Sequence, residues 1–172
     1  PVISYSGLEK ILRGLLREGV PIRDLGLILE AIVDAGPNRD PDIVTEQVRG
    51  RLSRTITRRF CENGQMRVVT LDAEVEKKIL SALTKNDQGV YLALSPDVMQ
   101  QIMAQLGELR KKFQELSQTP IVLTSQVIRV YLSRMIAQFY PDIYVLSFSE
   151  ITSNVQIQAI GNITLQPQKA QS

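Results

Sequence analysis

The sequence predicts an α+β fold: an N-terminal helical subdomain followed by an α/β subdomain with a mixed sheet covered by helices. Two observations carry this. Residues 1–60 hold apolar side chains at helical spacing only, interrupted by the breakers Gly19-Val20-Pro21 and Gly36-Pro37-Asn38. Beyond the polar turn Glu62-Asn63-Gly64-Gln65 the pattern changes to short β-branched runs alternating with helical stripes, which favours helices packed on a sheet.

Ser6-Gly7-Leu8-Glu9 has the S-x-x-E spacing of a capping box and opens a first helix with Leu8, Ile11, Leu12, Leu15 and Leu16 on one face. Gly19 stops it, and Pro21 sits where a second helix can start. That helix carries Ile22, Leu25, Ile28, Leu29, Ile32 and Val33. Asp40 caps a third, Pro41 fills its first position, and the stripe Val44, Val48, Leu52 and Ile56 runs to about Phe60. A unit of about 60 residues is marginal alone.

Met66–Leu71 reads as a strand, and Asp72 caps a helix with Val75, Ile79, Leu80 and Leu83. Val90–Leu94 is a second strand. Ser95-Pro96 opens a helix with Val98, Ile102, Leu106, Leu109, Phe113 and Leu116. Pro120–Leu123 is a third strand, and Ser125 caps a helix closed before Pro141. Ile143–Phe148 and a run from Val155 with one wet face are the last strands, close enough in sequence to form a hairpin. The expected division is 1–62 helical, 63–165 α/β, and 166–172 a frayed tail.

Composition narrows the chemistry. Of the 172 residues 44% are hydrophobic, enough for a real core, yet Trp is absent and aliphatic packing must dominate. A net charge of +2 implies neither a nucleic-acid nor a membrane partner. Histidine is absent, which removes Ser-His-Asp and Cys-His catalysis and the commonest zinc ligand. Cys61 is alone, so no internal disulfide and no CxxC metal site can form. No phosphate loop or GxGxxG occurs, and no cofactor or enzymatic activity is expected. Acids such as Asp40, Asp42, Asp72, Glu74 and Glu76 lie at helix starts, where they favour the dipole. No apolar run reaches about 18 residues, so no membrane span is expected. The opening PVISY, without an initiator methionine, reads as part of a longer polypeptide structured upstream.

One uneven feature is basic. Arg49, Arg51, Arg54, Arg58 and Arg59 fall in a stretch without acids. Arg51, Arg54 and Arg58 lie on neighbouring helical turns. Such a face is a solvated surface, a protein interface whose guanidinium forks pair with carboxylates, or a nucleic-acid surface. The absence of interleaved aromatics counts against single-stranded nucleic acid. A helix-turn-helix is disfavoured because the would-be recognition helix, Asp24-Leu-Gly-Leu-Ile-Leu-Glu, is too apolar and acidic.

LLREGVPIRDLGLILEAIVDAG followed by NRDPDIVTEQVRGRLSRTI resembles the third cytoplasmic subdomain of the large export-gate protein of bacterial type III secretion systems. VTLDAEVEKKIL, YLALSPD, PIVLT, IRVYLSRMI and the run Phe139-Tyr140-Pro141-Asp142 onward resemble its fourth subdomain, in order. The likeness spans about residues 1–165 and is most specific over Glu18–Glu30. The apolar ending VQIQAIGNITL favours the virulence injectisome branch over the flagellar one.

The resemblance implies the cytoplasmic part of an inner-membrane protein. Nine copies would form a ring that receives secreted substrates and their chaperones, meets other export-apparatus proteins and takes part in substrate switching. Membrane attachment would come only through an N-terminal half that this chain lacks. Candidate subunit contacts are Arg23, Asp24, Glu46, Arg49, Arg51 and Arg54. Asp24 in the first turn of the second helix suits the dipole, but Arg23 needs a partner. Glu46 of the same copy and an acid of the next copy are the alternatives. The rival reading is a nucleic-acid-binding or regulatory module using the Arg49–Arg59 face.

Overall fold

The structure is a computed structural model, and it describes residues 3–37 and 39–166. The chain forms two compact units. One comprises Pro1–Met66 with Ser147–Gln156, and the other comprises Arg67–Leu146 with Ile157–Ser172. Of the tail expected at 166–172, residues 167–172 lie outside the described residues, while Gln166 donates its backbone N–H to Gln101 Oε1 at 2.9 Å.

The first unit is built on α1 (Tyr5–Arg17), α2 (Leu25–Ala35), α3 (Pro41–Arg51) and α4 (Ser53–Phe60). Its core is the expected aliphatic one, with Ile11, Leu15, Ile28, Ile32, Val44, Val48, Leu52 and Ile56 buried. The caps differ in detail. Ser4, not Ser6, caps α1 by accepting from Gly7 N. At its far end Gly19 N donates to Leu16 O and Val20 N to Leu15 O. With Gly19 at φ 72° this is a Schellman ending, and buried Val20 seals it.

Pro21 does not start α2. Asp24 does, accepting from Leu27 N at 3.2 Å. The chain from Val20 to Asp24 is therefore non-helical, and Arg23 precedes the helix instead of lying in its first turn. The expected long third helix is two helices. Leu52 sits at φ −93°, ψ 20° between them and stays buried, so the stripe continues across the break. Asp40 and Pro41 start α3 as expected.

The second unit contains the strands β1 (Gln65–Leu71), β4 (Ile121–Thr124), β5 (Tyr144–Ser147) and β6 (Gln156–Ile163), in the order β5-β4-β1-β6. β1 and β4 are parallel, with Val69 opposite Val122. All four β4 residues are buried, as suits an interior strand covered on both faces. Helices α5 (Ala73–Ser81), α6 (Pro96–Glu115) and α7 (Gln126–Ala137) contribute Val75, Ile79, Ile102, Leu106, Phe113, Leu132 and Ile136 to one apolar cluster with the sheet.

Three expectations for this half are corrected. Val90–Leu94 does not join the main sheet. β3 (Gly89–Leu92) pairs with β2 (Leu83–Asn86) as a separate antiparallel hairpin, which takes Leu83 out of the α5 stripe. The last two strands are not a hairpin, because β5 and β6 lie on opposite edges of the sheet. The segment joining them, Ser147–Gln156 with a 3₁₀ turn at Phe148–Glu150, belongs to the helical unit and not to the α/β unit expected for it. The reason is Glu150, a buried acid whose partner stands on α3.

Candidate assembly surface and the buried arginine beside it

α2 is apolar nearly all round, but only one side is covered. Ile28, Ala31 and Ile32 are buried, while Leu25, Leu29 and Val33 remain 41–58% exposed. These three are spaced i, i+4, i+8 and so share a face. Gly26, Leu29, Glu30, Val33 and Asp34 line a shallow depression there. Its acidic rim is fixed by α3: Arg51 bonds Asp34 at 2.8 Å and lies 3.9 Å from Glu30. All three side chains are substantially exposed, so the pairs are worth about 0–1 kcal/mol. They shape the rim more than they stabilise the fold.

The five clustered arginines do not form one face. Arg51, Arg54, Arg58 and Arg59 are exposed, and the Arg59 guanidinium lies 4.9 Å from the Phe60 ring centroid. Arg49, expected among them, is only 1% exposed. Its Nε and Nη2 donate to the two carboxylate oxygens of Glu150 at 3.0 and 3.1 Å. Its Nη1 lies 3.6 Å from Glu18. Such a fork-to-fork pair is the strong form of the charged hydrogen bond. Glu150 also accepts from Ser147 N at 3.1 Å. Beside the pair, Thr57 Oγ1 donates to the Glu150 carbonyl and accepts from Thr152 N, both at 3.1 Å.

Arg49 is therefore committed within the protomer. A sequence signal existed for this: Arg49 follows Val48 and precedes Leu52 by three, which places it on the buried stripe. Glu18 belongs to the same logic. It is the C-cap of α1, where the helix dipole disfavours an acid, and Arg49 supplies the compensating charge.

Arg23 is exposed and makes no ion pair among the described residues, so the expected bond to Glu46 is not formed. Glu46 is half-buried on α3. Asp24 is exposed, and its carboxylate serves as the α2 cap. Arg54 is exposed on α4. Among the described residues no three His, Cys, Asp or Glu side chains are disposed to hold a metal, and no helix is long and apolar enough to cross a membrane.

The FHIPEP family profile matches residues 1–156. The chain belongs to the FHIPEP family. This is the type III export-gate family that the Glu18–Glu30 motif resembles. The flagellar biosynthesis protein FlhA of Bacillus subtilis is 34% identical over 165 residues, covering 95% of this FHIPEP chain and 24% of the relative. The CdsV protein of Chlamydia pneumoniae superposes with a TM-score of 0.86 at 33% identity, over 95% of this chain and 47% of the solved one. The cytosolic domain of EscV from the type III secretion system, solved as a nonamer, gives 0.75 at 31% identity over 92% and 47%. The FHIPEP segment in hand thus spans about a quarter of the curated relative's length and half of each solved domain.

Proposed function

We propose that this chain is part of the ring-forming cytoplasmic region of a type III export gate, and that the α2 face is where one copy meets the next. The observation that carries the reading is the uncovered stripe Leu25, Leu29 and Val33 on a helix whose other side is fully buried. On α1 the exposed Tyr5 and Leu16 share a face flanked by the Glu9–Arg13 ion pair, whereas the α2 depression is rimmed by Glu30 and Asp34. Two different exposed apolar faces on one copy suit a head-to-tail contact, the kind that closes rings. The EscV relative assembles as a nonamer, which supports the same stoichiometry here. Arg23, Arg54 and Asp24 are the exposed charges left to reach a neighbour.

The ring would act without catalysis. It would dock secreted substrates and their chaperones, meet other export-apparatus proteins, and take part in switching between substrate classes at the cytoplasmic face of the bacterial inner membrane. The apolar strand ending favours the injectisome branch. The rival nucleic-acid reading is weakened because Arg49 and Arg51 are both engaged by carboxylates.

Light scattering on the whole cytoplasmic region carrying Leu29→Glu or Val33→Glu tests this. A new acid on an already acidic rim is expected to leave the helical signal intact and abolish the high-mass species. Assembly equal to that of the unmodified protein would overturn the α2 contact.

A further inference from the structure

Arg49 serves two acids at once, and the two differ in what they hold. Glu150 lies on the segment Ser147–Gln156 and Glu18 on the end of α1. The segment is attached to the helical unit mainly by polar bonds. Ser147 and Glu150 are its only fully buried residues, while Phe148, Ser149, Ser153 and Asn154 are exposed and Ile151 and Val155 half-buried. Further ties are the two bonds of Thr57, the bond from Gln156 N to Gly64 O at 2.9 Å and that from Gln65 Nε2 to Gln156 Oε1 at 3.4 Å. A segment with so little apolar burial belongs at the low-stability end of a fold.

We infer that Ser147–Gln156 is a releasable strap, and that Glu18 is the fallback partner that lets Arg49 let go of it. In the closed state one buried guanidinium faces two carboxylates. When the strap leaves it takes Glu150 into water, and Arg49 stays behind with Glu18 as a balanced one-to-one pair. Without Glu18, opening would strand an uncompensated buried charge, which is costly. The position of Nη1 fits this role: it is buried, makes no hydrogen bond, and lies 3.6 Å from Glu18, ready to donate once the strap departs. Ser147 is the last residue of β5 and Gln156 the first of β6, so the strap joins the ends of two edge strands.

Native-state amide exchange on this chain tests the inference. The reporters are Thr152 N, bonded to Thr57 Oγ1, and Gln156 N, with Ile56 N as the helix control. In the unmodified chain the strap amides are expected to exchange faster than Ile56 and with a weaker dependence on urea, as a local opening requires. Exchange of all three at one rate with one urea slope would overturn the strap. In Glu18→Gln the strap amides are expected to slow relative to Ile56 by at least about fivefold, the low end of coupling between linked sites. Glu18 as a merely structural ion-pair partner would give the opposite sign, with Thr152 exchanging as fast as before or faster. Either of those outcomes overturns the fallback role. If Glu18→Gln does not fold, the comparison in the unmodified chain still decides whether the strap opens separately.

Discussion

Arg49 and Glu150, separated by 101 positions in sequence, meet inside one protomer through two parallel hydrogen bonds of 3.0 and 3.1 Å. Both are buried, so neither charge is solvated in the closed structure. Removing Arg49 leaves Glu150 uncompensated, a change that typically costs about 3–5 kcal/mol, whereas removing Glu150 leaves Arg49 with Glu18 and is expected to cost less. Replacing both with apolar groups avoids that penalty. The Arg49→Met single variant is expected to lose a few kcal/mol, and the Arg49→Met, Glu150→Leu double variant to recover much of it. Urea midpoints for the two singles and the double check this. Losses that simply add would show that the two side chains do not act as a pair.

The adjacent charges Arg23 and Asp24 have separate duties. Asp24 caps α2 through Leu27 N, so Asp24→Ala is expected to cost about 1 kcal/mol in any assembly state. Arg23 is exposed, and Arg23→Ala is expected to cost under about 0.5 kcal/mol in the monomer. Thermal melts of the two variants separate them. Equal losses would refute the division.

Asn63-Gly64 forms a closed turn. Glu62 N donates to Gln65 O at 2.8 Å and Gln65 N to Glu62 O at 2.9 Å, with φ values of 54° and 75° at Asn63 and Gly64. Positive φ at both central residues is the type I′ signature, and it favours Asn-Gly. Gly64→Ala is therefore expected to destabilise by about 1 kcal/mol, although open space surrounds the position, because the strain is in the backbone. Gly50→Ala in α3 also meets nothing within 4 Å and has no such φ, so it is expected to be neutral or stabilising. Denaturation midpoints that rank the two the other way would contradict the assignment.

Gly161 on β6 faces Leu109 of α6 so closely that a Cβ would run into that side chain. Gly161→Ala is expected to cost about 1–3 kcal/mol as an overpacking change, read from the same melts. A neutral result would mean that Leu109 moves aside freely.

The helices and the core were legible because apolar spacing is a local signal. Val44, Val48, Leu52 and Ile56 stayed on one buried stripe even though the helix breaks at Leu52. Starts were less legible. Ser4 and Ser6 are both plausible caps, and Pro21 imitates a first helical position that the chain does not reach until after Asp24. The strand order was not legible, since the hydrogen bonds that put β5 and β6 on opposite edges join residues far apart in the chain. Arg49 shows the same limit at the level of one residue. Arginines crowd the sequence around it, and the acid that explains its burial lies 101 positions later in the chain.

The most direct test of whether Arg49 works within the protomer is the stability of Arg49→Met as a monomer. Unfolding would be followed at a concentration where light scattering gives the single-chain mass of 19.3 kDa. With no second copy present, an internal pair still matters and a ring contact does not. The expected loss is at least about 2 kcal/mol, below the typical 3–5 for a broken buried pair because Glu150 can swing out to water. A change within about 0.5 kcal/mol, the range of an ordinary surface substitution, would contradict the buried clasp and return Arg49 to the subunit interface.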